Sequence, residues 1–144
     1  MSAEIAGGIG LISQSAKYAL RILGYLASQR SEWVLGRDVA SATGIPSNYL
    51  SKILNLLRKR GFVDSQKGWG GGFRLKKGVL GTPIQEVLLL FEGSDHGSEC
   101  LFGLPKCDVD NPCPLHEHWQ TIRNCYSDMM TSIRVGDLQS KEGQ

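Results

Sequence analysis

The chain has 144 residues, 41% of them apolar and 21% charged, with a formal net charge of +2. That length suits one domain, or one domain with a dimerising extension, and the composition excludes disordered and fibrous classes. No apolar run reaches the ~18 residues of a spanning helix. The stretch before Ile12 has Glu4 as its one charged side chain and lacks a basic start. No membrane partner and no secretory signal are therefore expected, and the chain reads as cytoplasmic.

The apolar spacing predicts a first helix over residues 13–29, with Ala16, Ala19, Leu20, Leu23 and Leu26/Ala27 on one face. A short second helix fits residues 37–43 (Val39, Ala40 and Ala42 apolar), stopped by Gly44. A third starts near Pro46, with Ser47 or Asn48 as candidate caps for its free backbone N–H groups. Its buried stripe is Leu50, Ile53, Leu54 and Leu57, and Gly61 ends it after Arg58-Lys59-Arg60, cations favoured at the negative helix end. Phe62-Val63 and Phe73-Arg74-Leu75 then flank a glycine-rich turn, the pattern of a two-stranded ribbon. Thr82-Pro83-Ile84-Gln85 looks like a capping box opening a helix to about Phe91.

Residues 93–112 lack an apolar period and read as a loop. A long last helix begins near Pro114. Leu115, Trp119, Ile122, Tyr126, Met129 and Ile133 form a heptad-like seam on it, the candidate dimerisation surface. The tail after Gly136 is polar and expected to fray. The chain thus reads as mainly α with a small β-wing: a winged helix-turn-helix domain (12–92), a cysteine-rich loop (93–113), a dimerisation helix (114–135) and a tail (136–144).

The small net charge hides a division. Residues 46–79 carry Lys52, Arg58, Lys59, Arg60, Lys67, Arg74, Lys76 and Lys77 against Asp64 alone. Residues 93–118 carry Asp95, Glu99, Asp108, Asp110 and Glu117 against Lys106. The basic block is a candidate for a polyanion. On the third helix Asn48, Tyr49, Lys52, Asn55 and Lys59 face away from the leucine stripe. They offer amide, phenol and ammonium groups to base edges and phosphates. The turn Lys67-Gly68-Trp69-Gly70-Gly71-Gly72-Phe73 has little bulk, so its tip can approach a phosphate backbone or a minor groove, with Lys67 as its charge. Solvated polar surface and an idle loop are the bland alternatives; the helix-turn-helix order weighs against them.

Cys100, Cys107, Cys113 and His116 form C-x6-C-x5-C-x2-H. Clustered cysteines in a reducing compartment read as ligands rather than disulfides. Cys113 and His116 are one turn apart at the start of the last helix, where positive partial charge favours a thiolate. Pro105, Pro112 and Pro114 stiffen the loop. The cysteine gaps exceed those of a tight zinc knuckle. Three thiolates and an imidazole can hold a two-iron cluster, and Cys3His zinc remains the alternative. Cys125, mid-helix beside the seam, reads as core, and His96 and His118 as solvated. A thiol enzyme is disfavoured: CxxC is absent, no acid–base pair stands out beyond Cys113/His116, and no catalytic residues are assigned.

Tyr18-Ala19-Leu20-Arg21, Tyr49-Leu50, Leu57-Arg58-Lys59-Arg60-Gly61-Phe62-Val63 and Gly68-Trp69-Gly70-Gly71-Gly72-Phe73, together with the three-cysteine loop, resemble the Rrf2 family of bacterial transcription regulators. The likeness runs over about residues 12–133. It implies a homodimeric winged-helix repressor or activator on double-stranded DNA with a near-palindromic operator, its affinity set by an iron–sulfur cluster. By position, Cys100, Cys107 and Cys113 match the family's cluster cysteines. The Cys113-x2-His116-x2-Trp119 string is similar to the IscR branch, where the histidine completes a [2Fe-2S] site. In the NsrR branch a first-helix acid serves a [4Fe-4S] cluster, and Lys17 stands at the comparable place, so [2Fe-2S] is favoured over [4Fe-4S]. Ser47, Asn48, Tyr49 and Lys52 match base-reading positions, and Lys67 the basic wing position. Trp69 departs from the family's usual wing proline. The first cysteine gap is six rather than the commoner five, and Ser51-Lys52 replace an acid–amide pair of the IscR branch.

Overall fold

The structure is a computed structural model that describes residues 12–30, 32–92, 110 and 113–139. Helix α1 (Gln14–Ser28) opens where Ser13 accepts a hydrogen bond from the Ala16 amide at 3.2 Å. Its buried face is Ala16, Ala19, Ile22, Leu23, Leu26 and Ala27. The small residues on that face admit neighbours closely, and α1 packs against α2 (Gly36–Thr43), α3 (Ser47–Lys59), strand β2 (Gly72–Leu75), α4 (Ile84–Glu92) and a 3-10 turn at Val135–Leu138. Burying side chains the size of Ile22, Leu23 or Leu57 stabilises by about 1.5–3 kcal/mol each.

Gly44 ends α2 in the left-handed conformation (φ 72°), which a side chain would disfavour. The Arg21 guanidinium donates to the Thr43 carbonyl and so ties the α2–α3 turn to α1. Pro46 is the N-cap of α3, and no side chain caps it. The expected Ser47 or Asn48 cap is therefore not formed; both side chains are exposed, and the Pro46 carbonyl accepts from Leu50 at 2.9 Å. The predicted stripe Leu50, Ile53, Leu54 and Leu57 is buried as a unit.

β1 (Val63–Gln66) pairs antiparallel with β2, from Val63 opposite Leu75 to Gln66 opposite Gly72. A third partner was not legible in the sequence. Val34 exchanges two hydrogen bonds with Phe73, 2.8 and 2.7 Å, and closes the ribbon against the α1–α2 connection.

Helix α4 starts at Ile84, whose amide donates to the Ile133 carbonyl at 2.9 Å. The chain leaving α5 (His116–Ser132) thus holds the entry to α4, and Pro83 bridges Arg134. The tail expected to fray after Gly136 is docked as far as Leu138. Val135 is fully buried, and the Arg134 amide and the Asp137 carboxylate close the 3-10 turn at 2.9 Å. This turn lies on Gly24 of α1, and the burial of Val135 outweighs the polar character of its neighbours.

An alanine inside a helix normally gains about 1 kcal/mol over glycine. At Gly24 a methyl group would stand 2.5 Å from the Leu138 carbonyl oxygen. Gly24→Ala is therefore expected to destabilise the fold by about 1–3 kcal/mol through overpacking. A urea melt checks this, and an unchanged or raised midpoint contradicts it.

Candidate nucleic-acid interface and metal ligands

Because Leu50, Ile53, Leu54 and Leu57 turn inward, the remaining positions of α3 must face out. Ser47, Asn48, Tyr49, Ser51, Lys52, Asn55, Arg58 and Lys59 are all exposed. Tyr49 leans on Tyr18 of α1 (ring centroids 6.0 Å), and Arg21 lies over the Tyr18 ring at 5.9 Å. The start of the outward face is thus braced by α1.

A groove of about 850 Å³ runs between this face and the ribbon. Ser47, Ser51, Lys52, Asn55 and Arg58 form one wall, Ser65, Gln66 and Lys67 the other, and Arg37 stands at the entry of α2. Among the described residues no acidic side chain lines it. Asp64, the one acid of the basic block, points to Lys76 at 3.7 Å and sits across the ribbon from Arg74. Arg74 in turn lies 4.1 Å from the Trp33 ring centre. The cations of this lining are Arg37, Lys52, Arg58 and Lys67, which suits it to a phosphodiester strand.

Arg37 and Arg58 were not singled out from the sequence as ligand-facing. Arg58 read as a helix-end cation, and Arg37 only as the start of a helix; a wheel of α3 would have found Arg58 one turn from Asn55. Arg58 donates to the Asn55 amide oxygen at 2.7 Å. The Asn55 carbonyl is therefore engaged within the protein, and its NH2 group is left to face outward as a donor.

At the tip of the ribbon Lys67, Trp69 and Gly70 are exposed, whereas Gly71 is buried against the Gln66 carbonyl. Gly71 is a packing residue of the turn and not part of its outer surface.

Of the four expected metal ligands, Cys100 and Cys107 lie outside the described residues. Cys113 and His116 are half-buried in one tight turn at the head of α5, where the His116 amide donates to the Cys113 carbonyl at 3.1 Å. No group of three or more candidate ligands is assembled among the described residues.

The expected seam divides. Trp119, Tyr126 and Ile133 turn inward; with Met130, Tyr126 and Ile133 pack on Ala16, Ile84 and Leu88. Leu115, Ile122 and Met129 stay exposed. Each half repeats every seven residues, so one stripe of α5 serves the fold and the other faces outward. Cys125, expected in the core, is exposed, because it falls between Ile122 and Met129 on the outward side. Burial, then the Glu92 carboxylate, pushes the Tyr126 phenol above its usual range.

A family model for Rrf2, described as iron-dependent transcriptional regulators, matches residues 12–141. An HTH-type transcriptional regulator of Aquifex aeolicus is 34% identical over 130 residues, covering 89% of this chain and 90% of that protein. The HTH-type transcriptional regulator IscR of Vibrio vulnificus is 31% identical over 115 residues, covering 80% of this chain and 67% of that protein. Two solved structures share the fold. The global cysteine regulator CymR of B. subtilis aligns with a TM-score of 0.71 at 23% identity, over 88% of this chain and 94% of that one. The IscR of T. potens aligns with a TM-score of 0.67 at 22% identity, over 92% of this chain and 88% of that one. These are winged-helix regulators rather than enzymes. No helix among the described residues is long and apolar enough to cross a membrane.

The raised Tyr126 pKa gives a signed expectation. The folded state keeps that proton longer than the unfolded state, so its contribution is complete below about pH 10 and is lost as pH climbs beyond. The urea midpoint of the wild type is expected to fall above pH 10, and Tyr126→Phe to remove part of that fall. Identical alkaline slopes for the two proteins would contradict the assignment.

Proposed function

Because the chain belongs to the Rrf2 family of transcriptional regulators, we propose that it is a homodimeric repressor whose operator affinity is controlled by an iron–sulfur cluster. Its ligands are Cys100, Cys107, Cys113 and His116, with [2Fe-2S] favoured. The observation that carries this reading is the position of Cys113 and His116 at the head of α5. One face of that helix packs on α1 and α4, and the other presents Leu115, Ile122 and Met129. A cysteine sulfur and an imidazole in one tight turn fit a soft metal centre, and the half-burial of both limits water around it. When bound there, a cluster supplies sensitivity to oxygen, nitric oxide and iron supply.

The chain's own residues supply the rest. Leu115, Ile122 and Met129 meet the same stripe of a second copy and set the distance between two readers; Trp119, Tyr126 and Ile133 transmit the position of α5 to the core. Ser47, Asn48, Tyr49, Lys52, Asn55 and Lys59 face the major groove, and Lys67, Trp69 and Gly70 reach the adjacent minor groove. Arg37 and Arg58 hold the phosphate strand between them. A two-fold protein calls for a near-palindromic operator. Cluster loss switches the protein if the two states of α5 space the readers differently. A hundredfold change in affinity requires about 2.7 kcal/mol.

Anaerobic purification tests the reading. Iron, sulfide and visible absorbance are expected in the wild type, an altered spectrum in His116→Ala, and a change in promoter binding of tenfold or more after nitric oxide. Stoichiometric colourless zinc would reject the cluster, and the absence of any footprinted promoter would reject the regulator. A second expectation concerns Asn55. Held as a donor, it suits an acceptor such as guanine O6 or N7 rather than the paired donor and acceptor of adenine. Arg58→Met frees its carbonyl and is expected to move selected sites toward adenine at one position per half-site; unchanged selected sequences would contradict this.

A further inference from the structure

Trp69 is the one large apolar side chain among the described residues with its whole surface in water, at 103% relative exposure. The other two tryptophans are engaged: Trp33 lies under Arg74, and Trp119 is buried. Trp69 is also held in place. The Gly71 amide donates to the Gly68 carbonyl at 3.1 Å, which closes a four-residue turn with Trp69 at its first corner. Gly70 occupies the second corner with φ 72°, the positive angle that a type II turn demands there. The strands beneath the turn are paired as far as Gln66 opposite Gly72, and Gly71 lies against the Gln66 carbonyl, which holds the base of the turn closed. The indole is thus presented at the apex, flanked by glycines that leave it no neighbouring side chain.

Its place in the fold points to one occupant. The ribbon that carries it is a wall of the basic groove whose opposite wall is α3. A duplex with α3 in its major groove runs one phosphate strand through that groove and meets the ribbon tip at the next minor groove. An uncharged ring gains nothing from phosphates. It gains by stacking on a base, and its N–H can donate to the N3 and O2 acceptors of A·T pairs. Apolar side chains that enter the minor groove part a base step and bend the duplex toward the major groove.

We propose that Trp69 is an aromatic wedge that enters the minor groove beside each half-site, unstacks one base step and bends the operator. This rests on the reading of α3 and the ribbon as one DNA-binding surface. It adds a specificity determinant: flexible A·T-rich steps such as TA, at positions that α3 does not touch, become part of the site because they part most easily.

The test uses the full chain and a duplex that it selects from a random-sequence pool. 2-Aminopurine is placed at successive A·T positions flanking the α3 footprint, and dyes at the duplex ends report bending. The wild type is expected to raise 2-aminopurine fluorescence at one step per half-site and to shorten the end-to-end distance. Trp69→Ala is expected to abolish both signals and to bind roughly tenfold to a hundredfold more weakly. Trp69→Phe should retain part of each signal. Full exposure of the side chain means that neither variant disturbs the core, and circular dichroism verifies this. If the wild type protects the duplex but leaves 2-aminopurine dark at every step, the wedge is wrong and the DNA-binding reading stands. Equal affinity and equal bending by Trp69→Ala also overturn it. If the wild type selects no duplex, both readings fall.

Discussion

A single stripe of α1, from Ala16 to Ala27, is closed off from water, and the elements that close it carry the outward chemistry of the molecule. The turn before α3 is pinned to α1 through Arg21 and Thr43, and the first outward residue of mass on α3, Tyr49, leans on Tyr18. The ribbon reaches α1 through β2, and α5 packs on α4 and joins, through Met130, Tyr126 and Ile133, the cluster that holds Ala16 of α1. Core residues are close-packed, so a shift of α5 must be passed on or resisted; it cannot be absorbed by empty space.

The charge pattern has the same economy. A net charge of +2 would not draw a protein to DNA. Local pairing changes what matters. Asp64 is answered by Lys76, and Arg74 is spent on Trp33, both on the ribbon itself. Arg37, Lys52, Arg58 and Lys67 line one groove. Phosphate binding weakens steeply with salt, whereas the base contacts proposed for Asn55 and Trp69 would retain their preferences.

Much of this was legible in the sequence, for physical reasons. The helical spacing of Leu50, Ile53, Leu54 and Leu57 fixes which face of α3 looks outward, and Gly44 and Ser13 mark helix ends through backbone geometry and capping. Features that depend on distant partners were not legible. Val34 pairs with Phe73 across thirty-nine positions, and a single bridging residue carries no alternation to betray a strand. Docking of the 3-10 turn at Val135–Leu138 depends on the absence of a side chain at Gly24, far earlier in the chain. The six-residue seam looked uniform because the same period serves an inner and an outer stripe, and only the position of α4 decides between them. The same ambiguity misplaced Cys125. Of the candidate metal ligands, Cys113 and His116 stand together as their spacing implies, while Cys100 and Cys107 lie outside the described residues.

The central claim is that events at the head of α5 reach α3 through the α1 core. Amide hydrogen exchange, followed with and without anaerobic iron–sulfur reconstitution, tests it most directly. The account predicts that protection changes together at Met130 on α5, Ile22 on α1 and Ile53 on α3. A change confined to residues 113–119, with the α1 and α3 amides unmoved, would contradict it.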